Sequence, residues 1–321
     1  MNKLSIVTFF LNEAENLPRL REQLCPVLEQ LEVSAEIILV DDHSTDASSD
    51  IAQAWVRQQP EASYIRLSRN CGSHAAIAAG LQACTGNCAV IMAADLQDPP
   101  DFIPRLLERW QLGYDVVWAC RSLRENESWH KRAASAIYYR IMRWVALPEM
   151  PPKGADYLLV GRNVIDTCNS IAEKHTSLFA MILWMGFRQS TIEYVKVSRH
   201  SGKSKWTLSK KTKLFVDSIV SFSYVPIRLM SSLGIVMAAA GFLYAATVVV
   251  GRFTGWVSAG TGFAALMTVL LVGQGSILTM LGVLGEYLWR AYDEARGRPK
   301  YIVEKHVSSK KAECTTHTGE N

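Results

Sequence analysis

Met92-Ala93-Ala94-Asp95-Leu96-Gln97-Asp98-Pro99-Pro100 follows directly on the apolar run Cys88-Ala89-Val90-Ile91. An acidic cluster at the end of a buried strand, closed by a double proline, is where α/β proteins place metal-bound phosphate chemistry. The reason is topological: open α/β sheets bind ligands beyond the carboxyl ends of their strands. Asp and Gln oxygens are hard donors, suited to Mg2+ or Mn2+ carrying a nucleotide diphosphate.

The flanking sequence supplies further strands of the same kind. Leu4–Leu11 is an apolar run of strand length, and Asn12-Glu13-Ala14-Glu15-Asn16 then opens a helix expected to reach about Leu31. Glu36–Val40 ends in Asp41-Asp42-His43-Ser44-Thr45-Asp46, which offers caps for a helix over Ala47–Gln58. Tyr64–Leu67 leads into Ser68-Arg69-Asn70-Cys71-Gly72-Ser73 and a small-residue helix over Ala75–Cys84. After the opening stretch, a helix over Asp101–Trp110 precedes a strand from Tyr114 that ends at Arg121. Alternating strands and helices predict a mostly parallel sheet covered on both faces. Polar residues collect after every strand: Asn12 and Glu13, Asp41 and Asp42, Arg69 and Asn70, Asp95 to Asp98, and Arg121. That pattern marks one ligand cleft.

Composition adds a membrane. The chain is 49% hydrophobic and 20% charged, with mean hydropathy +0.07, which is oily for a soluble enzyme. Leu229–Val250 and Phe263–Leu284 carry no formal charge, and Gly251–Gly262 between them carries only Arg252. Each run is long enough to cross a hydrocarbon core of about 30 Å, so a transmembrane helical hairpin is expected; a pair of buried core helices is the alternative. Lys210, Lys211, Lys213 and Arg228 precede the first run, and Arg290, Arg296, Arg298 and Lys300 follow the second. By the positive-inside rule both termini are cytoplasmic. Met1-Asn2-Lys3 leads straight into a strand-like run, with no signal-peptide pattern.

Lys131–Leu147 is basic and amphipathic and reads as an interfacial helix, or else as a surface helix on the sheet. Trp206–Tyr224 has similar character. The tail from Ser308 to Asn321 is polar and expected to be disordered. A net charge of +4 does not suggest nucleic acid; its cations gather near the membrane boundary, where phosphate or anionic lipid is the natural partner. The seven cysteines show no metal-type spacing and read as small packing residues.

Taken in order, these segments resemble inverting family-two glycosyltransferases that load a sugar onto a polyprenyl phosphate, such as dolichol-phosphate mannose synthase and the bactoprenol glucosyltransferases. The matching pieces include Asn12-Glu13, Val40–Asp46, Ser68–Gly72 and Ala94–Pro100. Downstream they are Arg121-Ser122, Gly154-Ala155-Asp156, Arg199–Lys205, Gly285-Glu286-Tyr287 and Arg298–Tyr301. The resemblance implies a GT-A fold, Rossmann-like and mostly parallel, over residues 1–200. A juxtamembrane amphipathic segment then occupies 201–228, two transmembrane helices 229–285, and a cytoplasmic tail 286–321. It implies transfer of one sugar, expected to be glucose from UDP-glucose, to undecaprenyl or dolichyl phosphate with inversion. The acceptor lies in the inner membrane, and the product would serve lipopolysaccharide or O-antigen modification. Transfer of an aminopentose, an aminohexose or mannose to the same lipid is the alternative, and a non-catalytic membrane scaffold is a third reading. A homo-oligomer is implied, with a tetramer among the options. Transport is disfavoured, because two spans enclose no pathway and only Gln274 is strongly polar within them.

The resemblance also distributes roles. Asp95 becomes the metal ligand, with Gln97 as a possible second, for Mg2+ or Mn2+. Asp42 and Glu13 become contacts to the base or ribose of the donor, a role that Asp41 can share; helix capping is the competing role for either aspartate. Arg121 becomes a phosphate ligand, and Arg199 and Lys205 hold the donor diphosphate or the lipid phosphate. Asp156 becomes the candidate catalytic base, although an acceptor phosphate with a second pKa near about 6 needs little deprotonation. The chain departs from the family pattern at Ala93, where an Asp is usual, and at Phe9-Phe10-Leu11, Ser73 and Leu158.

Overall fold

A computed structural model describes residues 3–121, 157–171, 173, 174, 176–194, 225–255 and 262–308, with 140, 143, 217, 220 and 223. They fall into two units, one made of residues up to 217 together with those from 299 onward, the other of residues 218–298.

The first unit is built on a single sheet. Its elements in chain order are β1 (Lys3–Phe10), α1 (Asn16–Glu29), β2 (Ser34–Asp41), α2 (Ser48–Gln58), β3 (Ala62–Leu67), α3 (Ser73–Ala83) and β4 (Cys88–Ala93). A 3-10 turn (Pro100–Phe102), α4 (Ile103–Gln111) and β5 (Val116–Arg121) follow. Then come β6 (Tyr157–Gly161), α5 (Arg162–Ser170), α6 (Leu178–Trp184), β7 (Gln189–Tyr194) and, after the second unit, β8 (Val303–Ser308). The strand order is β7-β5-β6-β4-β1-β2-β3-β8. β1 pairs in parallel with β2 and β4, β2 with β3, and β5 with β7. The antiparallel pairs are β4 with β6, β5 with β6, and β3 with β8.

Leu4, Ile6, Ile37, Leu39, Val90 and Leu159 lie at the heart of the core, against Leu17, Leu20 and Leu24 of α1 and Leu106 of α4. Continuous apolar strands of this kind need cover on both faces. On one face α3 comes close enough to β1 that a β-carbon at Gly80 would run into Val7; glycine is what lets the helix sit there. At the edge away from the polar loops, Glu36 accepts from Lys3, Ser5 and Thr85. Burial pushes its carboxyl up, but these bonds outweigh it and hold it at about 2. Burial pushes the Cys84, Cys88 and Cys168 thiols to about 12, which makes them packing groups rather than nucleophiles.

Several boundaries differ from the sequence reading. The first helix begins at Asn16 rather than Asn12, because Asn16 and Leu17 both donate to the Glu13 carbonyl at 3.0 Å while residues 12–15 form a loop. The helix expected from Asp101 starts as the 3-10 turn. Strands β6, β7 and β8 and helices α5 and α6 had no sequence expectation. Lys131–Leu147 and Trp206–Tyr224 lie outside the described residues, apart from isolated positions.

The second unit holds two long helices, α7 (Val225–Phe253) and α8 (Phe263–Ala295). They touch where Ser276 Oγ donates to Met237 Sδ at 3.2 Å. Among the described residues, one helix, over Val225–Gly251, is long and apolar enough to cross a membrane.

Candidate active site

Register brings the polar loops to one edge. Phe9 pairs with both Val40 and Ala93, and Phe10 pairs with Asp41. The loops after β1, β2 and β4 therefore leave the sheet side by side at the same level. β4 and β5 run the same way, since each is antiparallel to β6. β7 is parallel to β5 and pairs Tyr194 with Arg121. β6 and β8 begin at this edge. All the strand ends carrying the anticipated polar residues thus converge there.

The backbone at this edge is constrained. Among the described residues, the non-glycine positions with left-handed backbone are Asn12 (φ 51°), His43 (φ 65°) and Leu96 (φ 57°). One follows each of β1, β2 and β4. Such conformations cost roughly 1–3 kcal/mol each and gather at functional sites.

Side chains knit the first two loops together. The Asn12 N–H donates to Ser44 Oγ at 2.9 Å, and Asn12 Oδ1 accepts from the Thr45 N–H at 2.7 Å. The Glu13 N–H donates to Ser48 Oγ at 2.8 Å, and Glu13 Oε2 accepts from Asn16 Nδ2 at 2.6 Å. The expected donor contact Glu13 is thereby fixed in place at the head of α1.

The two adjacent aspartates have different jobs. Asp41 is completely buried. Its Oδ1 accepts from the Ser44 N–H at 2.7 Å, and its Oδ2 accepts from Tyr64 Oη and Arg66 Nη1, each at 2.8 Å. This ion pair, with its carboxylate fully buried, anchors the loop that follows β2. Burial, with Asp41 adding to it, raises the Tyr64 hydroxyl to about 12, keeping it a hydrogen-bond donor. Asp42 instead spans two loops: Oδ1 accepts from the Cys71 N–H at 2.7 Å and Oδ2 from the Gly72 N–H at 2.9 Å. Gly72 has φ 89°, a conformation natural to glycine, and it lets both amides turn toward the carboxylate.

The acid turn after β4 is held from outside its own strand. Asp95 is buried, and its Oδ1 accepts from the Gln97 N–H at 3.1 Å. Asp98 Oδ1 accepts from Tyr194 Oη at 2.5 Å, and the Pro99 carbonyl accepts from Tyr157 Oη at 3.3 Å. Phe102, Tyr157 and Tyr194 pack on one another, with ring centroids 5.6–6.2 Å apart. Burial, reinforced by Asp98, raises the Tyr157 hydroxyl well above its usual value.

The donor set is small. Among the described residues, no three His, Cys, Asp or Glu side chains are grouped to hold a metal ion. The turn carries two buried carboxylates, of which Asp98 is engaged by Tyr194; so small a set suits an ion that takes its remaining ligands from substrate phosphate and water, not a closed protein cage.

The structure thus brings Glu13, Asp42, Asp95 and Gln97 to one edge of the sheet. Arg121 closes β5 at the same edge, but its side chain lies outside the described residues, as do Asp156, Arg199 and Lys205. Sequence reasoning missed Tyr157 and Tyr194, which look like ordinary strand residues, and Arg66, whose signal was a lone charge within an apolar strand.

Comparisons with known proteins agree with this picture. Residues 5–172 match the family model "Glycosyl transferase family 2". An undecaprenyl-phosphate 4-deoxy-4-formamido-L-arabinose transferase of Pseudomonas syringae pv. syringae is 37% identical over 310 residues, 95% of this chain and 91% of the relative. A prophage bactoprenol glucosyl transferase homolog of Escherichia coli is 31% identical over 303 residues, 94% of this chain and 99% of the relative. Among solved structures, glucosyl-3-phosphoglycerate synthase of Mycobacterium tuberculosis superposes with TM-score 0.50 at 15% identity, covering 68% of this chain and 78% of that one. That likeness supports the GT-A type of α/β fold. A Rossmann-like sheet with its polar loops gathered at one edge, matched by one family model over more than half the chain, makes this protein a glycosyltransferase belonging to glycosyl transferase family 2.

Proposed function

We propose that the chain transfers a single sugar from a nucleoside-diphosphate sugar to a polyprenyl phosphate at a membrane. The observation that carries this is the pair of relatives spanning nearly the whole chain. Their names differ in the sugar but agree in the class of acceptor, bactoprenol in one and undecaprenyl phosphate in the other. Glucose from UDP-glucose is the donor we put first; the formamido-arabinose relative, at 37% identity, favours an aminopentose as the second reading.

In this mechanism an oxygen of the lipid phosphate attacks the anomeric carbon, and the bond from that carbon to the diphosphate breaks on the opposite face. The configuration inverts, and the nucleoside diphosphate leaves with the electron pair. Asp42 and Glu13 position the base and ribose from loops held by Asn12, Ser44 and Ser48. Asp95, with Gln97, is the residue to hold a divalent ion, Mg2+ or Mn2+, whose chemistry is to neutralise charge on the diphosphate. The neighbouring glucosyl-3-phosphoglycerate synthase was solved with Mn2+ and UDP-glucose. Arg121, Arg199 and Lys205 supply guanidinium and ammonium groups to the donor and acceptor phosphates. Asp156 aligns the acceptor rather than deprotonating it, since a phosphate monoester is already largely a dianion near neutral pH.

Access to so hydrophobic an acceptor requires a membrane anchor. Ile235, Phe242 and Leu243 of α7 and Leu270, Ile277 and Leu281 of α8 are exposed, an apolar surface suited to lipid. We assign both helices as spans, the catalytic unit and both termini to the cytoplasmic side, and the assembly to a homo-oligomer. The decisive experiment gives membranes containing the protein a panel of labelled nucleotide sugars with undecaprenyl phosphate, with and without chelator. Absence of labelled lipid with every donor overturns the proposal.

A further inference from the structure

β8 is the first part of the chain after the second unit to rejoin the sheet, and it does so at the donor edge. It runs antiparallel to β3, so its beginning lies beside the end of β3. Arg66 pairs with Lys305 and Leu67 pairs with Val303, leaving Glu304 as an extra residue between them. This is a β-bulge, a device that re-aims a side chain and is common beside active sites. The Glu304 carboxylate accepts from Arg66 Nε at 3.0 Å.

Arg66 uses the rest of its fork on the loop after β2. Nη1 donates to Asp41 Oδ2 at 2.8 Å, and Nη2 donates to the Ser44 carbonyl at 3.1 Å. Ser44 Oγ in turn accepts from the Asn12 N–H at 2.9 Å. A continuous hydrogen-bonded path therefore leads from the C-terminal strand through Arg66 to both loops that carry Asp42 and Glu13. A planar guanidinium is suited to this, since three neighbours fix its rotation and position together. His43, with left-handed backbone in the same loop, lies with Nδ1 3.7 Å from Glu304.

We infer that Glu304 is a positioning residue for the nucleotide end of the donor site: it sets the Arg66 guanidinium and, through it, the Asp41–Asp46 loop. This rests on the reading of that loop as part of a nucleotide-sugar site. The competing role is completion of the sheet alone. Lys305 separates the two: it stands on the same strand, in register with Arg66, but its Nζ donates to Gln53 Oε1 of α2 at 2.6 Å.

The test uses the full-length protein in detergent, titrated calorimetrically with UDP and, separately, with GDP. Glu304→Ala and Glu304→Gln are expected to weaken binding of the preferred nucleotide about three- to tenfold, the net scale of one hydrogen bond to a half-exposed carboxylate. Glu304→Asp should recover most of it. Lys305→Ala, an exposed change, should leave affinity within about twofold. In turnover, the donor KM should rise in the Glu304 variants while the polyprenyl-phosphate KM stays put. Wild-type affinity in folded Glu304→Gln, or an equal loss in Lys305→Ala, overturns the inference while leaving the sugar-transfer reading intact. Binding of neither UDP nor GDP by the wild-type protein overturns both.

Discussion

Tyr194 Oη donates to Asp98 Oδ1 at 2.5 Å, and both side chains are buried. The residues lie 96 positions apart in sequence. The bond ties the last residue of β7 to the turn that carries Asp95. Tyr194→Phe keeps the ring packing and removes this donor. We expect a stability loss of about 1–3 kcal/mol, read as a lower thermal midpoint of the full-length protein. We also expect turnover about ten- to a hundredfold slower, because the turn loses its fixed geometry. In a cycle with Asp98→Asn, the double variant should lose less than the two singles summed.

Asp95→Ala should leave the fold intact and slow sugar transfer at least about a hundredfold, the order expected when charge stabilisation of several kcal/mol is lost. Chelator should act likewise on the wild-type protein, and Mn2+ or Mg2+ should restore it. Wild-type turnover in a folded Asp95→Ala protein would remove Asp95 from the metal role, whereas absence of turnover in the wild-type protein itself would favour the scaffold reading.

Glu36 sits at the far edge of the sheet, its carboxyl held at about 2 against an ordinary value of 4.5. A carboxyl depressed in the folded state contributes stability that is fully present above the unfolded value. That contribution is lost as pH falls through the folded one. Glu36→Gln should therefore be less stable than wild type at pH 7, and the gap should narrow between about pH 4.5 and 2. Thermal midpoints recorded across that window check the sign; a gap independent of pH would contradict it.

Gly80→Ala tests how closely α3 approaches β1. The added methyl meets Val7, so the helix or the strand has to shift. A destabilisation of about 1–3 kcal/mol is expected, despite the better helix propensity of alanine.

The parallel half of the sheet was legible because β1 to β4 are apolar runs separated by helical patterns and ended by polar clusters. That is a long-range pattern which local composition preserves. Tyr157–Gly161 was not legible: five apolar residues without distinctive flanks fit a buried strand or a piece of helix equally well. Val303–Ser308 was obscured for another reason. Val-Glu-Lys-His-Val-Ser is polar enough to read as tail, and its strand character comes from β3, a partner far earlier in the chain. At the site, the positions of Asp42, Asp95 and Glu13 were readable from the ends of strands. What holds them was not, because Tyr194 with Asp98, and Arg66 with Glu304, meet only through tertiary packing. The contrast between Asp41 and Asp42 also escaped the sequence. Both are buried, and only their partners distinguish them: Tyr64 and Arg66 for Asp41, the Cys71 and Gly72 amides for Asp42.

The return of the chain to the sheet through β8 has a practical consequence. The catalytic unit is discontinuous, so a single cut before the helix pair does not release it whole. A polypeptide ending ahead of Val225 would leave β3 as an open edge along Ala62–Leu67, with unpaired amides and carbonyls able to recruit the same strand of another molecule. Such a fragment should self-associate, whereas supplying residues 299–308 through a short linker in place of the helices should keep it monomeric.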